Sequence, residues 1–296
     1  VNEYLRQASD DNLDLRGCSA DVKAKVQQFR AEARFLRAYF YWAAMDTFGQ
    51  VPFSTENTQF GGGYNPPQKP AAEIFDFIVD ELNDLASEGS AMPAAQSNYP
   101  RADQGSVLGL LARVYLNAEV YAGKEMWAEA KATCEKIYGL GYALAPTHAE
   151  LFRGDNGTIN ITGINGGWAG NRVPDHYVQT YFAPSAADFE SGDYTIADKR
   201  GQYFYIKGRA QSMEGNLNTF LNGWSCIKYN NVPHDMDAVD YAATAATKNF
   251  SDIDWPLIRL GEIHLIYAEA CMHAGGDASA KVAALAERAG VAAPAA

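Results

Sequence analysis

A long helical pattern from Asp21 to about Asp46 restricts the folds open to this chain of 296 residues more than any other feature. Apolar residues recur there at alternating steps of three and four, the spacing of one buried helical face. We expect a rod of roughly 39 Å, at about 1.5 Å per residue. Gly49 can end the helix in a left-handed conformation, and Pro52 prevents it from resuming. The predicted buried positions are Val22, Val26, Phe29, Ala33, Leu36 and Phe40.

Helical periodicity returns several times along the chain. It predicts helices from Ala71 to about Leu85, Ala102 to about Val120, Trp127 to about Leu140 and Trp255 to His273. Small residues twelve positions apart let paired helices approach closely in tetratricopeptide repeats. Two such pairs are Ala118 with Ala130 and Ala268 with Ala280. We therefore predict a mainly α fold built from tetratricopeptide-like helix pairs.

The character of the sequence changes between residues 146 and 251. Gly, Asn, Asp and Tyr become frequent there, and only short β-prone pieces remain. Loops of this length in a compact protein usually carry function. We predict a single domain over 1–296, with a helical scaffold at 19–145 and 252–290. An irregular, loop-rich insert with short strands, at 146–251, is expected to bind the ligand.

Composition excludes several partners. The chain has 36 acidic and 24 basic residues and a net charge of −12, which disfavours nucleic acid and anionic membrane surfaces. No run approaches about 18 consecutive apolar residues, so no transmembrane helix is expected. The four cysteines are far apart and match neither a zinc module nor a disulfide scaffold.

The sequence contains no recognisable catalytic motif. The chain lacks a Gly-x-Ser-x-Gly motif, a His-Glu-x-x-His motif and a phosphate-binding loop. We therefore predict no enzyme, no catalytic residue, no metal and no cofactor. Two weaker readings stay open: a metal cluster at His234, Asp235 and Asp237, and a glycosidase-type carboxylate pair among the acidic residues of the insert. The latter residues are Asp188, Glu190 and Asp193.

Aromatic residues of the insert are the better functional signal. Trp168 and Trp224 are each flanked by glycine and polar residues, a setting that favours an exposed ring face. Rigid aromatic rings next to amide and guanidinium groups suit sugars, which offer apolar C–H faces and hydroxyls. The candidate ligand-binding residues are Trp168, Asn171, Arg172, His176, Tyr177 and Trp224.

Three sequence blocks follow one another in the order of a known family. The first joins Glu-Ala-Arg-Phe-Leu-Arg-Ala-Tyr at 32–39 to Phe-Gly-Gln-Val-Pro-Phe at 48–53. The second is Ile-Arg-Leu-Gly-Glu-Ile-His-Leu-Ile-Tyr-Ala-Glu-Ala at 258–270, and the third is Arg-Ala-Gly at 288–290. With these blocks the chain resembles the SusD/RagB family of glycan-binding outer-membrane lipoproteins.

The resemblance implies a SusD-like α-α superhelix and a non-catalytic role in nutrient uptake. It implies capture of oligosaccharides at the surface of Bacteroidetes-type bacteria and delivery to a SusC-like TonB-dependent transporter. Family members usually extend further at both ends, so we expect a lipid anchor in a longer protein rather than in this chain. A tetratricopeptide scaffold that binds a peptide, or a glycoside hydrolase, remains the alternative. The sequence leaves open which glycan is bound and whether calcium binds.

Charged residues in the two signature helices have a structural interpretation. They interleave with core positions, so we expect ion pairs or hydrogen bonds at helix crossings rather than ligand contacts. These residues are Arg30, Arg34, Arg37, Arg259, Glu262 and Glu269.

Overall fold

The computed structural model groups the chain into two units. Val1–Ala143 and Ile258–Ala278 form the first unit, and Leu144–Leu257 and Ser279–Ala296 form the second. The last helix of the predicted scaffold therefore belongs to the second unit. The single-domain organisation stays a prediction. The structure describes residues 1–58, 61–152, 172–182, 184–188, 193–206, 210, 212–213, 222–226, 228 and 256–294.

Helices dominate the described residues, so the predicted mainly α class is confirmed. In chain order they are α1 (Asn2–Gln7), α2 (Asp10–Leu15), α3 (Ala20–Phe48), α4 (Ala71–Ala86), α5 (Gln104–Leu116), α6 (Ala118–Ala122), α7 (Trp127–Tyr138), α8 (Asp175–Phe182), α9 (Leu260–Ala274) and α10 (Ser279–Ala289). Among these residues, no helix has both the length and the apolar character needed to cross a membrane.

Local signals set both ends of α3, and the one at its C-terminal end is the predicted Gly49. The Ser19 side chain accepts a hydrogen bond from the backbone N–H of Val22, which caps the first turn. Gly49 ends the helix with a φ of 71°, in the left-handed region that glycine adopts at low cost. The predicted helix Ala102–Val120 is interrupted at Asn117, whose side chain bonds to the carbonyl of Arg113 at 2.9 Å. The next helix, α6, begins directly after that residue.

The predicted buried face of α3 is wrong. Val22, Leu36 and Phe40 are 48%, 41% and 63% exposed. The face that packs on the core is instead the one bearing Phe35 and Met45. Two apolar stripes run along this helix, and periodicity alone cannot tell which of them meets the rest of the fold.

The first unit is a succession of packed helices. Helix α3 packs on α4, α4 on α5, α5 on α7, and α7 on α9. Ala118 and Ala130 are fully buried, as the first small-residue pair predicted, whereas Ala280 of the second pair is exposed. Large side chains that are completely enclosed in this core include Phe75, Ile74, Ile78, Leu82 and Leu110.

Ion pairs link the helices of the first unit, which confirms the structural reading of several charged residues. Arg37 of α3 contacts Glu81 of α4 at 2.8 Å and Glu56 at 2.5 Å. Arg34 contacts the same Glu81 at 2.9 Å and Asp84 at 2.6 Å. In the same way, Arg113 of α5 contacts Glu262 of α9 at 2.6 Å.

Short antiparallel strands complete the fold. They are β1 (Val51–Pro52), β2 (Gln68–Lys69), β3 (Arg172–Val173), β4 (Ser185–Asp188), β5 (Asp193–Thr195), β6 (Phe204–Tyr205) and β7 (Trp224–Cys226). Strands β1 and β2 pair within the loop after α3, and β4 pairs with β5. The second unit holds a three-stranded sheet in the order β3-β7-β6, with Val173 opposite Trp224 and Phe204 opposite Cys226.

Candidate functional site

The candidate site is built around α8, which follows β3 after a single proline. Its first turn is closed by a bond from the Tyr177 N–H to the Pro174 carbonyl at 3.1 Å. Val178 on its inner face is fully buried against Trp224 and Ile206. The three-stranded sheet therefore holds the helix through a small apolar core.

Trp224 lies in this core, so the exposed ring face expected from the sequence is wrong. Its side chain is 0% exposed, and its indole Nε1 donates a hydrogen bond of 2.9 Å to Oδ1 of Asp175. Its neighbours did suggest a loop, but β7 pairs with strands on both sides and turns the ring inward. Trp224 thus supports the helix beneath the site.

Two tyrosines form the outer surface of α8. Tyr177 is 38% exposed and Tyr181 is 66% exposed. Their ring centroids lie 5.0 Å apart, with an angle of 51° between the planes. We call Tyr177 and Tyr181 the tyrosine pair. Sequence reasoning did not select Tyr181, although a spacing of four residues within a helix would have placed it beside Tyr177.

Partly buried aromatic residues support the tyrosine pair from the inner side of α8. The ring of Tyr177 lies 5.9 Å from that of Phe204 and 6.1 Å from that of Phe182. Phe182 and Phe204 in turn lie 5.1 Å apart. Packing on both sides fixes the orientation of Tyr177, so its ring loses little further entropy when a ligand binds.

Polar candidates lie on the same segment. His176 precedes Tyr177 on α8 and is exposed. Arg172 is half-buried on β3, and its Nη1 donates to the carbonyl of Asn222 at 2.9 Å, which fixes the guanidinium beside the sheet. The structure thus brings together His176 and Tyr177 and places Arg172 on the strand before them. The other two candidates, Trp168 and Asn171, lie outside the described residues.

An ion pair anchors the turn next to α8. Arg200 contacts Asp198 through two nitrogens, at 3.0 and 2.5 Å, in the turn that includes the 3-10 helix Lys199–Tyr203. Burial by itself would raise the pKa of Asp198, but hydrogen bonds from the side chain and backbone of Arg200 outweigh it and lower that pKa. The hydrogen bond that Arg200 donates to Asp198 in turn raises the pKa of Arg200. Both groups therefore stay charged and fix the shape of this turn, which contacts α8.

The arrangement suits binding. Aromatic faces with a neighbouring imidazole and guanidinium can hold an uncharged polyhydroxyl ligand by stacking and hydrogen bonds. Within the described part of the chain, no group of three or more His, Cys, Asp or Glu side chains could hold a metal ion. The alternative metal residues His234, Asp235 and Asp237 lie outside that part, as do the side chains of Asp188, Glu190 and Asp193.

Comparison with known proteins identifies the class. The family model SusD_RagB, described as the SusD family, matches residues 156–294. A crystal structure of a SusD superfamily protein from Parabacteroides distasonis superposes with a TM-score of 0.63 at 23% identity, covering 99% of this chain and 66% of the other. The fold is thus that of the SusD-like proteins. Together with the sequence match described next, these findings show that the chain is similar to the SusD family.

The sequence match is to the starch-binding protein SusD of Bacteroides thetaiotaomicron. It is 28% identical over 346 aligned residues, which cover 94% of this chain and 61% of SusD. The surface glycan-binding protein A of the same species, solved in complex with laminarihexaose, has a TM-score of 0.59 at 15% identity and covers 97% of this chain and 67% of its own. The chain thus spans about three fifths of the length of the curated relative.

Proposed function

We propose that this chain binds oligosaccharides without catalysis, at the cell surface, and passes them to a SusC-like TonB-dependent transporter. The tyrosine pair is the observation that supports the proposal most directly. Its two rings are exposed, and partly buried aromatic residues hold Tyr177 in place. The relatives named above add support, because one is a starch-binding protein and another was solved with laminarihexaose.

The proposed ligand contacts are of two chemical kinds, aromatic stacking and hydrogen bonding. The tyrosine pair would stack on the C–H faces of sugar rings, as aromatic residues do in carbohydrate sites. His176, Arg172 and Asn171 would donate hydrogen bonds to hydroxyls, and Trp168 would offer a further ring face to the sugar. Trp224 would act only through Asp175, by holding α8 in place. No bond is broken in this scheme, so affinity and geometry are the whole mechanism.

Isothermal titration calorimetry with starch-derived and laminarin-derived oligosaccharides tests the proposal. We expect saturable binding without product formation, and at least about tenfold weaker binding in Tyr177→Ala and Tyr181→Ala, the loss of one stacking contact each. Phe48→Ala is the matched control, because Phe48 is an exposed aromatic of the first unit. Equal affinity in all three variants would exclude the tyrosine pair, and hydrolysis of any sugar would favour the glycosidase alternative.

Delivery to the transporter and a lipid-anchored, outer-membrane location are the remaining parts of the proposal. They rest on the similarity to the SusD family rather than on a contact in this chain. Co-purification of the chain with the SusC-like protein encoded by the same organism tests the partnership. A folded, glycan-binding protein that never co-purifies with the transporter would overturn that part alone.

A further inference from the structure

A cavity of about 320 Å³ opens between the first half of α3, the last turn of α4 and residues 87–91. All of its wall residues belong to the first unit, so the cavity shares no residue with the tyrosine pair. Ligand pockets usually measure about 300–1,000 Å³, and this volume lies at the small end of that range. The cavity therefore suits a small molecule rather than an oligosaccharide.

Four charged residues of the described chain line this cavity, and two of them neutralise each other. Arg34 donates from Nη1 to Asp84 at 2.6 Å. Its Nε and Nη2 donate to Glu81, at 3.3 and 2.9 Å. All three nitrogens of Arg34 are thus engaged by carboxylates of α4, so this guanidinium is part of the wall.

Arg30 is the remaining positive charge of the cavity. It lies one turn before Arg34 on the same face of α3 and forms no ion pair within the part of the chain that the structure describes. Its Nη1 donates to the carbonyl of Leu5 at 2.5 Å, which holds the half-buried side chain in place. Because a guanidinium has five N–H donors, several donors of Arg30 remain for a ligand.

Glu88 is the remaining negative charge. It lies in the segment after α4, is exposed, and forms no ion pair with any described residue, Arg30 included. The cavity thus offers one guanidinium and one carboxylate that do not neutralise each other. A simple anion would be attracted by Arg30 and repelled by Glu88, and a simple cation would meet the reverse.

We propose that this cavity binds a small zwitterion of the free amino acid class. The ligand carboxylate would pair with Arg30, and the ligand ammonium would pair with Glu88. Both contacts are charge-assisted hydrogen bonds, which are stronger than bonds between neutral groups. Ala31 and Leu85 add an apolar part of the wall, against which an aliphatic side chain can lie.

NMR titration of the ¹⁵N-labelled chain with L-alanine and L-glutamine, each up to about 20 mM, tests the proposal. We expect saturable shifts of the cavity residues. Arg30→Gln and Glu88→Gln should each weaken binding at least about tenfold, because each variant loses one charge-assisted contact. Absence of saturable binding for both amino acids would overturn the proposal.

Arg16→Gln and Glu119→Gln are the matched controls for these variants. Arg16 and Glu119 are exposed and do not line the cavity, and Arg16 also bonds to a backbone carbonyl, as Arg30 does. Both controls should bind the amino acids as the wild type does. Equal weakening in the control variants and in the cavity variants would likewise reject the site.

Analogues of alanine test the two ligand charges on the unaltered protein, whether or not a variant folds. Propionate keeps the carboxylate and lacks the ammonium, whereas ethylamine keeps the ammonium and lacks the carboxylate. Each should bind at least about tenfold more weakly than alanine, because it forms one contact and meets one like charge. If either analogue bound as tightly as alanine, a zwitterion would not be the ligand class of this cavity.

Discussion

The indole Nε1 of Trp224 lies 2.9 Å from Oδ1 of Asp175, the first residue of α8. A buried donor on the sheet is thereby satisfied by the helix that carries the tyrosine pair. The bond crosses 49 residues of sequence and ties the register of β7 to the start of α8. The aromatic surface of α8 consequently depends on a residue that no ligand can reach.

Trp224→Phe removes this bond while keeping an aromatic ring. We expect it to lower the free energy of unfolding of the second unit by about 1–3 kcal/mol, because Asp175 loses its buried partner. Trp224→Ala should cost about 3–5 kcal/mol, since a cavity is added. Urea denaturation together with hydrogen exchange of residues 175–182 measures both effects. Unchanged exchange in α8 would contradict a supporting role for Trp224.

Arg37→Met tests the ion pairs between α3 and α4. Arg37 is 5% exposed. Without its guanidinium, the partly buried carboxylate of Glu81 keeps only its contact with Arg34. We expect a loss of about 3–5 kcal/mol, the usual cost of removing one partner from a buried pair. Urea denaturation followed by far-UV circular dichroism measures it.

Lys124→Ala is the matched control for Arg37→Met. Lys124 forms an ion pair with Asp76, and both side chains are about half exposed. Solvent screens such a pair, so we expect a change below about 1 kcal/mol. Similar losses in the two variants would show that the network around Arg37 contributes no more than a surface pair does.

Gly109→Ala tests how closely α5 and the segment before α9 approach. A methyl group at Gly109 would lie 2.7 Å from Cγ2 of Ile258, which is attached to a stiff, branched Cβ. We expect destabilisation of about 1–3 kcal/mol from overpacking. Ile258→Ala removes the clashing methyl, so the double variant should lose less than the sum of the single ones. If the losses in the free energy of unfolding were additive, the methyl group added at Gly109 would not be clashing with Ile258.

Local signals predicted the longer helices of the first unit, because caps and breakers act within a few residues, whereas α1, α2 and α8 were not predicted. Gly49, for example, sets a helix end that can be read directly from the sequence. The buried face of α3 and the burial of Trp224 could not be predicted in this way. Both depend on partners distant in sequence, namely α4 for Arg37 and β3 and β6 for Trp224. A glycine-flanked tryptophan looks the same in a loop and in a short paired strand.

Glu56 should make the first unit sensitive to acid. Burial by itself would raise the pKa of Glu56, but hydrogen bonds from Arg37 and the backbone outweigh it, so the pKa is lowered from 4.5. The unfolded chain therefore binds a proton at a higher pH than the folded chain does. The stability that Glu56 contributes is complete above about pH 4.5 and is lost as the pH falls through the lowered pKa.

Urea titrations of the wild type and Glu56→Gln between about pH 7 and about pH 3 measure this effect. The wild type should be the more stable protein at neutral pH, and the difference should shrink as Glu56 becomes protonated. Glu88→Gln is the matched control, because Glu88 is an exposed acidic residue in the segment after α4. Its difference from the wild type should stay small at every pH. A constant gap between the wild type and Glu56→Gln down to about pH 3 would show that Arg37 does not lower the pKa of Glu56.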